Sequence, residues 1–146
     1  MNDAARDIVN DTFPDAQASI RRRLDEIWSV AARRDFERLE SFHLYGPKFT
    51  EFKDGKVRGD ARSCAAGERA MFGMLEGPAV DMKDLTINVF GDAAVATFNG
   101  HFTGKIHGNQ VALDQQSTMV FVRAGGDWKI VHEHFSLIGP PPIPPR

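Results

Sequence analysis

The amino-acid sequence predicts an α+β domain, with N-terminal helices packed on a curved antiparallel sheet that encloses a pocket. Three observations carry this. Apolar residues recur at helical spacing in the first half of the chain, and the texture after Gly77-Pro78 turns to β-rich segments separated by short turn signals. The 146 residues suffice for one hydrophobic core rather than two. Helices first and a strand meander afterwards is the α+β arrangement, with the helices against one face of the sheet.

Ile20, Leu24, Ile27, Trp28 and Ala31 form the stripe of an amphipathic helix over about residues 15–34. Asp35 then reads as an N-cap for a short helix with Phe36, Leu39 and Phe42 on its apolar edge, ended by Gly46-Pro47. Residues 49–57 read as a hairpin turning at Asp54-Gly55, two residues that tolerate positive φ. Asp60 caps a third helix reaching about Glu76, with Ala65, Met71, Phe72 and Leu75 on its apolar side. Strands follow over 82–90, 94–106, 111–123 and 128–138; the short turns between them imply antiparallel neighbours.

Residues 1–14 carry three aspartates, with a fourth at Asp15, and no continuous apolar segment, and read as a flexible arm rather than a secretory signal. The domain itself is expected over 15–139. The Pro-rich tail, 140–146, offers too few backbone donors to continue a sheet. Its PxxP spacing also admits a reading as a ligand for a Pro-binding domain, beside the simpler reading as a terminator.

The formal charge of −2 argues against a general affinity for nucleic acid, and the cluster Arg21, Arg22 and Arg23 reads as a solvated helix face. No apolar run approaches the ~20 residues of a membrane span. Cys64 stands alone, so neither an internal disulfide nor a cysteine metal site is expected, which fits a cytoplasmic setting.

The last strand, Trp128-Lys129-Ile130-Val131-His132-Glu133-His134-Phe135-Ser136, and the Gly125-Gly126-Asp127 turn before it carry a resemblance. The chain resembles the SnoaL-like and ketosteroid isomerase-like branch of the nuclear transport factor 2-like superfamily, and is similar to the association domain of calcium/calmodulin-dependent kinase II. The likeness runs from about Ile20 to Gly139. It implies a cone-shaped, cystatin-like fold with a pocket on the helix side of the sheet and a homodimer formed through the other face. Such a fold hosts enzymes, binding modules and oligomerisation domains alike.

Parity divides the last strand into Trp128, Ile130, His132 and His134 on one side and Lys129, Val131, Glu133 and Phe135 on the other. The resemblance implies that Val131, Glu133 and Phe135 look into the pocket. It implies the same for Ala96, Phe98, Gly100 and Phe102 on one strand and for Gln115, Ser117, Met119 and Phe121 on another, with Trp28, Tyr45, Phe49 and Phe72 closing the helical side.

An acid among apolar groups has its charged form disfavoured, so Glu133 is the candidate general base, with a structural ion pair as the bland alternative. His132 and His134 project from one face and, with His101, could ligate a metal only if further ligands converged, so no metal is expected. The three histidines fit a dimer face better. His43 and His107 read as solvated, and Cys64 as a small packed residue.

The ketosteroid isomerase set is not reproduced. By the resemblance its catalytic carboxylate falls at Phe52, with Glu51 one step off and facing the other way, and its oxyanion pair falls near Ile27 or Trp28 and near Thr118 or Met119. Two functions remain open. One is a cofactor-independent isomerase, cyclase, dehydratase or hydrolase acting on an apolar or aromatic carbonyl compound, with Tyr45, Ser117 or Gln115 orienting it. The other is a ligand-binding or dimerisation module without chemistry.

Overall fold

The computed structural model describes residues 3–139. Nine elements follow in order: α1 (Asp3–Asn10), α2 (Pro14–Ala32), α3 (Phe36–Ser41), β1 (Thr50–Lys53), α4 (Ala61–Met74), β2 (Glu76–Phe90), β3 (Ala93–Ile106), β4 (Asn109–Ala124) and β5 (Asp127–Leu137). The segment expected as a loose arm thus contains a helix. The Pro-rich tail lies outside the described residues.

Helix α2 begins at Pro14, whose fixed φ suits a first helical turn. Its buried stripe is Ala16, Ile20, Leu24, Ile27, Val30 and Ala31, together with Arg23, which reaches across to the carboxylate of Asp127. Asp35 caps α3 by accepting from the Arg38 backbone N–H at 3.1 Å. Asp60 and Ser63 form a reciprocal capping box at the start of α4.

The sheet runs β1-β5-β4-β3-β2; β2 to β5 make an antiparallel meander and β1 pairs parallel with β5. The hairpin expected at 49–57 therefore needs correcting. Beyond Asp54-Gly55 the chain returns to β1 only through a bridge between Glu51 and Gly59 on one edge of the strand, while the other edge of β1 pairs with β5. Strand β2 also starts at Glu76, earlier than the expected 82. It lies at a sheet edge, where Pro78 costs no ladder bond, and a register irregularity between Glu76 and Ala79 absorbs Gly77 at φ 56°.

A second irregularity reorganises β5. Val120 pairs with His132 but Phe121 pairs with Ile130, so Val131 is an extra residue. The strand's alternation slips there: Trp128 and Ile130 face inward on one side of the bulge, Glu133 and Phe135 on the other, and His132 and His134 face out. Simple parity, which grouped Val131 with Glu133, does not survive this insertion.

The helices cover the inner face of the sheet. At one end the α2 stripe packs against Val89, Ala94, Ala96, Phe98, Met119, Phe121 and Ile130 in a closed core. At the other end the ring of Phe102 folds over Gly100, where a Cβ would come within 2.3 Å of it, and the packing opens into a cavity.

Candidate active site

The cavity has a volume of about 750 Å³. Its walls are largely apolar: Trp28 from α2, Met71 and Phe72 from α4, Leu75 after it, and Phe102, Leu113 and Phe135 from the sheet. Trp28 meets Phe72 edge-on at 6.0 Å and leans on Phe102 at 5.3 Å, so three elements share one aromatic contact.

Polar groups gather where β1, β5 and α4 meet. Glu51 and Glu133 are register partners on adjacent strands, and both line the cavity. Cys64 and Glu68 stand four residues apart on one face of α4. His43, in the segment after α3, completes the cluster with its side chain only 1% exposed. Its Nδ1 faces the Leu39 carbonyl at 3.0 Å; its Nε2 faces Glu133 Oε1 at 2.7 Å and Glu68 Oε1 at 3.2 Å. With acceptors at both nitrogens, the ring is an imidazolium donating from each. Burial acts against that charge, but the Glu133 and Glu68 carboxylates outweigh it and push the imidazole up to about 10. Tyr45 stacks on the same ring at 4.7 Å.

The other groups hold their protons more tightly than usual. Burial, then the Glu133 carboxylate, raises Glu51. Burial also raises Glu68, against the pull of His43. Burial and the surrounding carboxylates push the Cys64 thiol and the Tyr45 phenol well up. Tyr45 donates to Cys64 Sγ at 3.5 Å, and Cys64 donates to Glu51 Oε2 at 3.3 Å. Glu68 Oε2 is buried without a hydrogen-bond partner among the described residues.

The ligand atoms of His43, Cys64, Glu68 and Glu133 lie within 4.8 Å of one another, close enough to surround a cation. Holding one there would require His43 to give up the Nε2 proton it donates to Glu133, because a protonated ring nitrogen has no lone pair to offer.

Of the residues singled out in the sequence, Trp28, Phe72, Phe102, Gln115, Glu133 and Phe135 line the cavity. Several others need correcting. Phe49, Phe98, Ser117, Met119 and Phe121 are buried in the closed core, and the α2 stripe fills the space they were expected to border. Ala96 belongs to that core too, and Gly100 lies under the Phe102 ring. Tyr45 packs between His43 and Phe49, behind the carboxyl cluster. Val131 sits at the bulge.

The orienting groups fare similarly. The Gln115 amide is committed to Asp54 Oδ1 and Oδ2 at 3.0 and 3.1 Å, and Ser117 Oγ is buried without a partner among the described residues. His101, His132 and His134 share the outer face but turn to separate partners, Asp114, Thr50 and Ser136.

Three residues in the cluster escaped the sequence reading. His43 is buried rather than solvated. Glu51 faces inward and Phe52, 40% exposed, faces out, the reverse of the expected order. Glu68 carried a legible signal: with Cys64 and Phe72 it forms an i, i+4, i+8 line, an acid inside a buried stripe.

Comparison with known proteins decides the family. The model of the SnoaL-like domain matches residues 20–140. The chain belongs to the SnoaL-like domain family. No curated protein sequence matches this SnoaL-like chain. Among solved structures it is similar to a candidate dehydratase of the NTF2-like family from Streptomyces avermitilis, at 20% identity and TM-score 0.77, covering 87% of this chain and 99% of that one. It is similar to a candidate scytalone dehydratase from Novosphingobium aromaticivorans at 12% identity and TM-score 0.75, covering 88% and 87%. It is also similar to the CaMKII hub homology domain of Chlamydomonas reinhardtii at 19% identity and TM-score 0.67, covering 85% and 98%. At these identities the likeness is one of fold. A further solved relative is described as NTF2-like with a cystatin-like fold, in keeping with the sheet and helices seen in the SnoaL-like chain.

Proposed function

We propose that this SnoaL-like chain is a cofactor-independent lyase that eliminates water from a β-hydroxy carbonyl compound bound in the cavity. The observation that carries the reading is the pairing of Glu51 and Glu133 on one cavity wall with His43 locked behind Glu133. Neighbouring carboxyls in unlike environments divide into an acid and a base. The Glu133 carboxylate, held by the imidazolium, takes the proton on the carbon beside the carbonyl. Glu51, which keeps its proton, delivers it to the departing hydroxyl, so the C–O bond breaks, water leaves and a C=C bond forms. His43 touches neither reacting atom and acts as a positioning residue. The dehydratase names of two structural relatives support the choice of reaction.

The test supplies aromatic β-hydroxy ketones to the purified protein and follows enone absorbance. Glu133→Gln and Glu51→Gln should each lower kcat by about 10²–10⁴-fold, the usual contribution of a positioned acid or base, with folding intact. A Glu133→Gln variant turning over at the wild-type rate would overturn the reading.

A second reading, assembly through the outer sheet face, is supported by the hub-domain relatives and by Phe52 and Phe90, 40% and 47% exposed. Both readings hold together if two copies pair back to back.

A further inference from the structure

Among the described residues lining the cavity, Lys53 is the only lysine or arginine. It follows Glu51 by two positions on the same face of β1, which places the two Cα atoms about 6.6 Å apart. Its ammonium approaches Met71 Sδ at 3.8 Å, and a thioether is a weak acceptor. Among the described residues no carboxylate oxygen lies within the 4.0 Å of an ion pair with it. The adjacent acid, Asp54, is committed elsewhere, its carboxylate accepting from the Gln115 amide and from the Leu137 backbone N–H at 3.0 Å. Its half-buried ammonium acts on the Glu51 carboxyl from a distance, favouring its charged form, but no acid among the described residues is in contact with it, which leaves room for a bound anion there.

We propose that the cavity takes an organic monoanion, an aromatic or alicyclic carboxylic acid whose carboxylate seats on Lys53 while its ring packs between Trp28, Phe72, Phe102 and Phe135. This rests on the reading of the cavity as a substrate site and names the substrate class. Lys53 thereby becomes a specificity residue, which selects acids over neutral analogues of the same shape.

The test needs no turnover. Naphthoate and adamantane carboxylate are each compared with their neutral primary amides by calorimetry on the full chain at neutral pH. The wild-type protein should bind each acid about tenfold or more tightly than its amide, the value of one charge-assisted contact. Lys53→Met should erase the difference while leaving amide binding unchanged, and Lys53→Arg should keep it. Equal binding of acid and amide by the wild type, a preference that survives in Lys53→Met, or failure to bind any of the four compounds would overturn the proposal. If Lys53→Met does not fold, the wild-type ratio and Lys53→Arg still decide. Glu133→Gln should retain the anion preference, so loss of elimination with the preference kept sinks only the lyase. Elimination without the preference sinks only the anion site.

Discussion

Cys64 is 1% exposed, and its thiol donates to Glu51 while Glu133 and Glu68 stand close by. Burial and these carboxylates both disfavour a thiolate, the species that alkylating and disulfide reagents attack. The folded protein should therefore resist a thiol-specific chromogenic reagent at mildly alkaline pH and release one equivalent of colour only on unfolding; rapid labelling of the native protein would contradict the cluster's geometry. Gly100 gives a second prediction at this scale. An alanine Cβ there would meet the Phe102 ring at 2.3 Å. Gly100→Ala should push that ring into the cavity, destabilising the fold by about 1–3 kcal/mol in denaturant melts and weakening ligand binding. The burial of His43 could not be read from the residues alone, since it depends on carboxyls brought from a distant helix and strand; Gly100 and Phe102 stand two apart on β3, but that the ring folds back over the glycine is set by its packing on Trp28 and Phe135. Glu133 was legible because the family resemblance supplies the inward orientation that strand parity alone leaves open.

Helix boundaries were the most legible elements. Asp35 and Asp60 announce α3 and α4, and both side chains accept the expected backbone N–H. Asp60→Ala should lower Tm by roughly 2–4 °C, the usual size of a lost cap in a chain of this length, with the cavity unchanged. An unaltered melt would mean that the capping box contributes nothing. The turns also announced the meander of β2 to β5. What escaped was the partner of β1, because parallel pairing with the last strand joins residues some eighty positions apart and leaves no local signature.

Across the whole molecule, proton binding favours the folded state. His43 keeps its proton up to about 10 when folded, against 6.5 in the unfolded chain, so its contribution is complete below about pH 6.5 and disappears above about pH 10. Between those limits stability should fall by up to about 1.4 kcal/mol per pH unit. Glu51 and Glu68, also raised, act in the same direction from nearer pH 4.5. Asp127 is lowered by its Arg23 contact, despite burial, and works at the opposite end; its contribution is present above 3.8 and is lost as pH falls through its lowered value. Thermal melts from about pH 6 to about pH 10 should show Tm declining, with a flatter curve for His43→Gln; a rising Tm would refute the buried imidazolium. The fold class was legible at this scale because composition and pattern agree along most of the chain. The cavity's size was not, since it is the difference between what α2 fills and what it leaves.

The supernumerary valine in β5 has a consequence for how this protein can vary. It works as a phase slip, allowing one strand to anchor grease at its start and present an acid inward further along. Removing that single residue would leave Ile130 and Glu133 two positions apart, so plain alternation would keep both inward and both imidazoles outward. A one-codon deletion at the bulge should therefore be tolerated better than one at His134, which would set Glu133 and Phe135 on opposite faces.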